Sequence, residues 1–256
     1  LGALNQKSLV RARHFYSSLV LGKITLMNSL KEAEAVKIVE NSFRDINIAF
    51  VNELAKSFTC LGINLMNVID GASTKPFSFL AHYPGCGVGG HCIPVDPYYL
   101  IKYAEKKGFS HRFLSLAREI NNDMPRFTVE RLISGLSERG ITIKGSRVAI
   151  LGLAYKPEID DCRESPSFEI IKHIKEHGGS AASFDPFALN ESTAKSLNDA
   201  LAGAKSLIIA TAHRLFQRLD PHELRARGIE VVVDGRNCLE KKAFERAGIV
   251  FRGIGY

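Results

Sequence analysis

Cys92 is the side chain with the greatest chemical reach in this sequence, and it stands inside GCGVGGHCIPVD, residues Gly85 to Asp96. Glycines let a main chain fold tightly and lie against a ligand. Pro94 and Pro97 forbid the helix that would carry the thiol away from the surface. The stretch therefore reads as a rigid loop that displays a thiol, although by spacing alone a buried, inert cysteine stands ahead of a nucleophile. Gly85, Gly87 and Gly90 also satisfy G-x-G-x-x-G, but a dinucleotide fingerprint needs a strand before it and a helix opening directly after it. His82-Tyr83-Pro84 precedes the loop and HCIPVDP follows, so it reads as ligand-facing and not as a cofactor fingerprint.

Lys37 and Asn41 lie four residues apart and so share a helix face, among Val36, Ile38 and Val39. Spacing alone favours a snorkelling lysine with an ordinary polar neighbour. Asp96 followed by Pro97 reads as an N-cap with proline at N1, opening DPYYLIKYAEKKG. The five cysteines are odd in number and scattered, with no C-x-x-C pair, so neither a disulfide framework nor a zinc site is indicated and a reducing cytoplasm fits.

The elements that must position these groups fall into two kinds. From Ser29 to about Leu61 one long helix is expected, begun by the S-x-x-E box of Ser29 and Glu32 and stopped by Gly62. It extends about 48 Å at 1.5 Å per residue. Its apolar residues (Ala33, Val36, Val39, Phe43, Ile46, Phe50, Leu54, Phe58) occupy more than one side, which suits a helix packed between domains or against a second copy of itself. A short helix and a loop follow over 64–80, then a helical pair from about Arg112 to Glu138 interrupted at Pro125. From Ile141 strands and helices alternate: VAILGLAY, SAASFDP, KSLIIATA, IEVVVDG and VFRGIG are the apolar runs, and Ser165-Pro166 opens a helix that Gly178 ends. This is the pattern of a doubly wound parallel sheet, whose ligands sit at the carboxyl ends of the strands. Tyr155, Lys156, Asp185, His213 and Arg236 all fall at those ends. The first turn, LGLAYKPEIDD, lacks the glycine triplet and is a poor NAD site.

Composition sets the limits. The chain has 256 residues, 45% of them hydrophobic, enough for two domains or one large one. A formal charge of +7 reads first as a basic solvated surface and next as suited to a phosphate-bearing small ligand, and no arginine-rich block or stacking aromatic series points to nucleic acid. No apolar run approaches a membrane span and no signal-peptide core is present. The chain opens at Leu1 without methionine, in a helix and short strand with nothing before them to pair with, which suggests a piece of something longer.

Taken together, four motifs resemble the nucleotide-sugar dehydrogenases that oxidise the C6 alcohol of a UDP-sugar to a carboxylate. They are E-x-x-K-x-x-x-N (Glu34, Lys37, Asn41), PGCGVGGHCIPVDPYYL (Pro84 to Leu100), GLAYKPEIDDCRESP (Gly152 to Pro166) and VVVDGRN (Val231 to Asn237). The resemblance implies an α/β chain in three parts. Residues 1–28 are then the remnant of an N-terminal NAD-binding domain, 29–140 an all-helical dimerisation and catalytic-loop domain, and 141–256 a Rossmann-like UDP-sugar-binding domain. By the same resemblance Cys92 is the nucleophile, Lys37 and Asn41 polarise the oxygen at C6, and Asp96 orders the base or water chemistry. Tyr83, Gly85, Gly87, Gly89, Gly90, Tyr155, Lys156 and Arg236 contact substrate, Arg163 reaches toward the dinucleotide, and no metal is involved. NAD, bound mainly outside this chain, a UDP-sugar and a second copy through the long helix are the implied partners.

That chemistry is coherent. The thiolate is the attacking form, an ammonium such as Lys37 nearby favours it, and the thiol traps the aldehyde as a thiohemiacetal that becomes a thioester. The UDP-glucose branch reads G-G-S-C-F-P-K-D around the cysteine; here His91 replaces the serine and Val95 the lysine, which resembles the branch acting on N-acetylated hexosamines. Two rivals compete. One is a cysteine hydrolase with His91 or His111 as base, although adjacent residues on an extended loop point apart and a dyad needs hydrogen-bond reach. The other is a non-catalytic nucleotide-sugar-binding and dimerising module.

Overall fold

The computed structural model describes residues 1–256. Its first helix, α1 (Gln6–Ser17), is capped by Asn5 and buries none of its residues. The short strand expected after it does not form. Residues 23–27 belong to no strand or helix, and Leu1 donates to Thr25 and accepts from Met27 instead.

The long helix α2 (Leu30–Leu61) forms as its caps require. Ser29 Oγ accepts from the Glu32 amide at 3.1 Å, and the Glu32 carboxylate accepts from the Asn28 amide at 2.8 Å. Gly62 ends it at φ 69°, a left-handed turn that carries a penalty for any side chain. Its amphipathy is inverted as far as Phe50, beyond which Val51, Leu54, Ala55 and Phe58 join an apolar cluster with Leu65, Ile69 and Met124. Asn41, Ser42, Asp45, Ala49, Asn52 and Ala55 are buried, whereas Val36, Val39, Phe43 and Phe50 are 54%, 59%, 48% and 52% exposed.

After α3 (Leu65–Ala72) and α4 (Asp96–Glu105), α5 (Arg112–Glu138) runs unbroken through Pro125. The expected interruption is absent because Pro125 is buried where α5 packs against α2 and the helix that follows the first strand. Tertiary burial there overrides the loss of one main-chain donor.

The remaining chain alternates as expected: β1 (Arg147–Leu151), α6 (Pro166–Glu176), β2 (Ser180–Phe184), α7 (Leu197–Leu201), β3 (Ser206–Ile209), α8 (Arg214–Gln217), α9 (Pro221–Ala226), β4 (Val231–Asp234), α10 (Lys241–Arg246) and β5 (Val250–Gly253). The strands form one parallel sheet in the order β2-β1-β3-β4-β5, with Val148 of β1 opposite Ala181 on one side and Ser206 on the other. Because the order reverses at β1 and β3, their carboxyl ends diverge and leave a crevice. One face carries Leu151, Leu207, Phe216, Val232 and Phe251, and the other Ile150, Ile170, Ile208 and Val233 beneath α5. Gly135 makes that second contact possible: a Cβ there would stand 2.6 Å from Val231 Cγ1. α5 thus joins the two halves, its first turns against α2 and its last turns on the sheet. No helix is long and apolar enough to cross a membrane.

Candidate active site

Cys92 is half-buried, and its carbonyl accepts from the amides of Val95 at 3.1 Å and Asp96 at 2.8 Å, turning the chain into α4. Asp96 is not the cap of that helix. Val95 takes the cap position without any side-chain bond, and Asp96 is the first helical residue. Its carboxylate instead accepts from Asn41 Nδ2 at 2.5 Å, across 55 residues of sequence. Asn41 is buried, and its Oδ1 accepts from Arg44 at 2.5 Å, so a carboxylate on one side and a guanidinium on the other fix the orientation of its amide. Lys37 shares the helix but stands on the exposed surface, paired with Glu40 at 3.2 Å.

The loop glycines also differ from expectation. They read as a backbone lying against a ligand, and within the chain they lie against its own turns. A Cβ on Gly89 would lie 2.6 Å from Tyr155 Cβ and 2.9 Å from the Glu164 carbonyl, and one on Gly90 would lie 2.9 Å from the Tyr155 ring. Gly87 faces Pro166, and Gly85 faces Arg236. Main-chain bonds complete the docking: Cys86 N–H donates to Gly235 at 3.0 Å, and Gly90 N–H to Arg163 at 2.9 Å. The glycines therefore let the thiol loop lie flat on the turns that follow β1 and β4.

From the other side a buried polar chain holds the same loop. The Gly85 amide donates to Asn52 at 2.9 Å, Asn52 Nδ2 to Asn121 at 2.8 Å, and Asn121 Nδ2 to Asp45 at 2.8 Å. Arg118 closes the chain on Asp45 at 2.5 Å. Burial pushes the Asp45 carboxyl up, and Arg118 and Asn121 oppose that. These residues escaped sequence reasoning. The available signal was the run of small and polar residues along one side of α2, a face that could only be buried if its polar groups paired with one another.

The residues at the strand ends converge as the parallel topology requires. Arg236 donates from Nε to Ala210 at 2.7 Å and from one terminal nitrogen to Gly87 at 3.3 Å; its other terminal nitrogen makes no bond within the chain. Lys156 and Tyr83 are exposed, and Tyr155 is half-buried against the loop. Arg163 is folded back in a two-point pair with Asp161, at 2.9 and 2.5 Å. This hydrogen-bonded pairing lowers the Asp161 carboxyl to about 2.

The other cysteines separate from Cys92 by environment. Burial pushes the thiols of Cys86 and Cys238 up, and burial together with nearby carboxylates pushes Cys162 to about 11, so all three are held in the unreactive form. Cys60 is exposed near the end of α2. Cys92 is the cysteine placed where Asn41, Asp96 and the strand-end turns meet. No cluster of histidine, cysteine and carboxylates suited to a metal ion is present. A cleft of about 600 Å³ opens between α4, α5 and the start of α6, lined in part by Val95, Tyr98, Asn122 and Ser165; Cys92, Lys156 and Arg236 lie outside it.

Comparison with known proteins finds two family matches along the chain. Residues 31–123 match the central domain of the UDP-glucose/GDP-mannose dehydrogenase family, and residues 149–241 match that family's UDP binding domain. A UDP-N-acetyl-D-mannosamine dehydrogenase of Methanococcus maripaludis is 34% identical over all of this chain and 59% of its own length. The structure of a UDP-D-ManNAc dehydrogenase from Pyrococcus horikoshii superposes with a TM-score of 0.90 at 36% identity, over 99% of this chain and 59% of that one. A UDP-glucose dehydrogenase from Pyrobaculum islandicum superposes with a TM-score of 0.83 at 30% identity, over 100% of this chain and 58% of that one. The chain thus spans less than two thirds of the length of the relatives it matches.

Proposed function

Because this chain belongs to the UDP-glucose/GDP-mannose dehydrogenase family, we propose that it carries the thiol and the nucleotide-sugar site of an NAD-dependent UDP-sugar 6-dehydrogenase. The observation that carries this reading is the docking of the Cys92 loop, through Gly89 and Gly90 on Tyr155 and through Gly85 and Gly87 on Arg236, which seats the thiol-bearing loop at the mouth of a parallel sheet. Lys156 and Arg236 supply charge-assisted bonds to a diphosphate. Such a bridge leaves the hexose over the thiol loop.

The carbon chemistry balances in four steps. The C6 alcohol loses a hydride and a proton to become an aldehyde, and the Cys92 thiolate adds to the aldehyde carbon, forming a C–S bond. The thiohemiacetal loses a second hydride to give a thioester. Water then cleaves the C–S bond, releasing the carboxylate and returning the thiol. NAD, one molecule for each hydride, supplies the oxidising power.

Each tetrahedral stage bears a negative oxygen, and one donor to such an oxygen is worth roughly 3 to 4 kcal/mol. We assign Asn41 and Lys37 as those donors. Asp96, which already accepts from Asn41 at 2.5 Å, takes the proton of the hydrolytic water.

The turn after β1 does not fit a dinucleotide. Its Leu153 and Ala154 amides, placed where a Rossmann turn cradles pyrophosphate, are already taken by the Asp185 carboxylate at 2.7 and 2.8 Å. We therefore place the NAD site on residues outside this chain, with Arg163 at its border. His91 and Val95, and the relatives named for UDP-N-acetylmannosamine, support a UDP-N-acetylhexosamine as substrate. We take 29–140 as the thiol-bearing unit and 141–256 as the UDP-sugar unit. We assign the exposed stripe of Val36, Val39, Phe43 and Phe50 to a second copy of the chain. Light scattering that gave a monomer at micromolar concentration would remove the dimer.

Calorimetry with UDP tests the site. The chain is expected to bind UDP, and Lys156→Ala to weaken that binding by about tenfold. A folded chain that takes up no UDP overturns the reading. A panel of UDP-sugars assayed for NADH formation with the full-length protein then identifies the sugar.

A further inference from the structure

Asp185 and His213 are both fully buried at the carboxyl ends of β2 and β3, and neither can touch a substrate. One carboxylate oxygen of Asp185 accepts from the amides of Leu153 and Ala154 and from His213 Nε2 at 2.9 Å; the other accepts from the amides of Phe187 and Ala188 at 2.9 and 3.2 Å. Burial raises the Asp185 carboxyl, but His213 and these amides more than offset it and hold the group at about 2. An ionised carboxylate only accepts, so the imidazole proton sits on Nε2. Nδ1 is then an acceptor, and it takes the Glu158 amide at 3.0 Å. Phe187 stacks on the ring at 5.0 Å and closes the site.

Glu158 needs this partner, because its backbone sits at φ 62°, a left-handed conformation that side chains disfavour. The turn 152–158 is consequently fastened at its start by Asp185 and at its end by His213, with Tyr155 and Lys156 between. Tyr155 is also the residue against which Gly89 and Gly90 press.

We propose that His213, oriented by Asp185, is a positioning residue that sets the Tyr155–Lys156 turn, and so governs nucleotide-sugar affinity and the seat of the thiol loop without touching the ligand. The inference rests on the UDP-binding reading above and adds a residue pair to it.

Two variants separate positioning from bulk stability. Asn at 213 keeps an oxygen where Nδ1 accepts, whereas Gln reaches toward Asp185 but leaves the Glu158 amide without an acceptor. UDP affinity, read by calorimetry, is expected to fall about tenfold or more in His213→Gln and to stay within about threefold of wild type in His213→Asn. Alkylation of Cys92 by iodoacetamide should change rate in the same order, with both variants melting at similarly lowered temperatures. His213→Gln binding UDP as tightly as His213→Asn overturns the inference alone. A wild-type chain without UDP affinity overturns the underlying reading and the inference with it. Should His213→Gln not fold, hydrogen exchange of wild type decides. The Glu158 amide is expected to exchange slowly and more slowly with UDP, and exchange as fast as at exposed Lys156 overturns the proposal.

Discussion

Around the sheet, Leu151, Leu207, Phe216, Val232 and Phe251 are sealed on one face and Ile150, Ile170, Ile208 and Val233 on the other. Along α2 the arrangement is opposite. Asp45 and Asn52 face inward onto α5 and Asn41 onto Asp96 of α4, and Val36, Val39, Phe43 and Phe50 face outward. The sheet half is stabilised by apolar area removed from water, at about 25 cal/mol per Å². The helical half is specified by a buried polar chain, which adds little net stability when intact but is costly to break. That chain ends on Gly85, so the polar interior of the helical half fixes the geometry of the thiol loop, and the apolar sheet provides the rigid surface on which the loop rests.

Where the two halves meet, the largest effect is expected. Cys92→Ser in the full-length protein should lower complete oxidation by at least about a thousandfold, the scale on which removal of a covalent nucleophile acts. UDP affinity should change little, because Lys156 and Arg236 remain. Near-normal turnover with serine at 92 would leave the loop a binding element only.

The next test sets one half against the other. Phe216→Ala opens a cavity in the sheet core and Arg118→Met strands the buried Asp45 carboxylate; each is expected to cost about 3 to 5 kcal/mol in denaturant unfolding. The two should differ in cause. A further Asp45→Leu change should recover most of the Arg118→Met loss, and failure to recover would show that the polar chain is not what holds α2 on α5.

A smaller, pH-dependent effect belongs to Asp185. Its carboxyl is held at about 2 in the fold against an ordinary value of 3.8, so ionisation favours the folded state. The contribution, about 2 kcal/mol, is complete above pH ~4 to 5 and lost as the pH falls through ~2. The stability difference between wild type and Asp185→Asn, followed by urea unfolding from pH 7 to pH 2, should shrink over that window; a difference independent of pH would contradict it.

The smallest effect on the chain by itself is expected at the exposed stripe. Phe43→Ser should change unfolding of the separated chain by no more than about 0.5 kcal/mol, while sedimentation shows self-association weakened. A large loss of stability without any change in association would mean that α2 is covered within its own chain.

Much of this architecture was legible in the residues. Ser29, Glu32 and Gly62 bounded α2, Ser165 and Pro166 opened α6, and five apolar runs became the five strands. All of these are local signals, in which a cap or a period acts within a few residues and meets little competition from the rest of the chain. The choice of partner for a polar group is different. Asp96 has the sequence of a cap, but Asn41, 55 positions away, offers its carboxylate a buried donor. Pro125 has the sequence of a helix break, but packing on both sides keeps α5 continuous. The loop glycines announced a close approach without saying to what, and Tyr155, Pro166 and Arg236 answered from the far half of the chain. Asp185 and His213 were visible as strand-end residues, yet their pairing across 28 positions and their hold on Glu158 follow only from the parallel order of β2, β1 and β3. The sequence determined the bounds of α2, the start of α6, the five strands of the sheet and which thiol stands on a loop. Tertiary structure decided what each buried polar group bonds to, because those groups find their partners only when distant segments are brought together out of water.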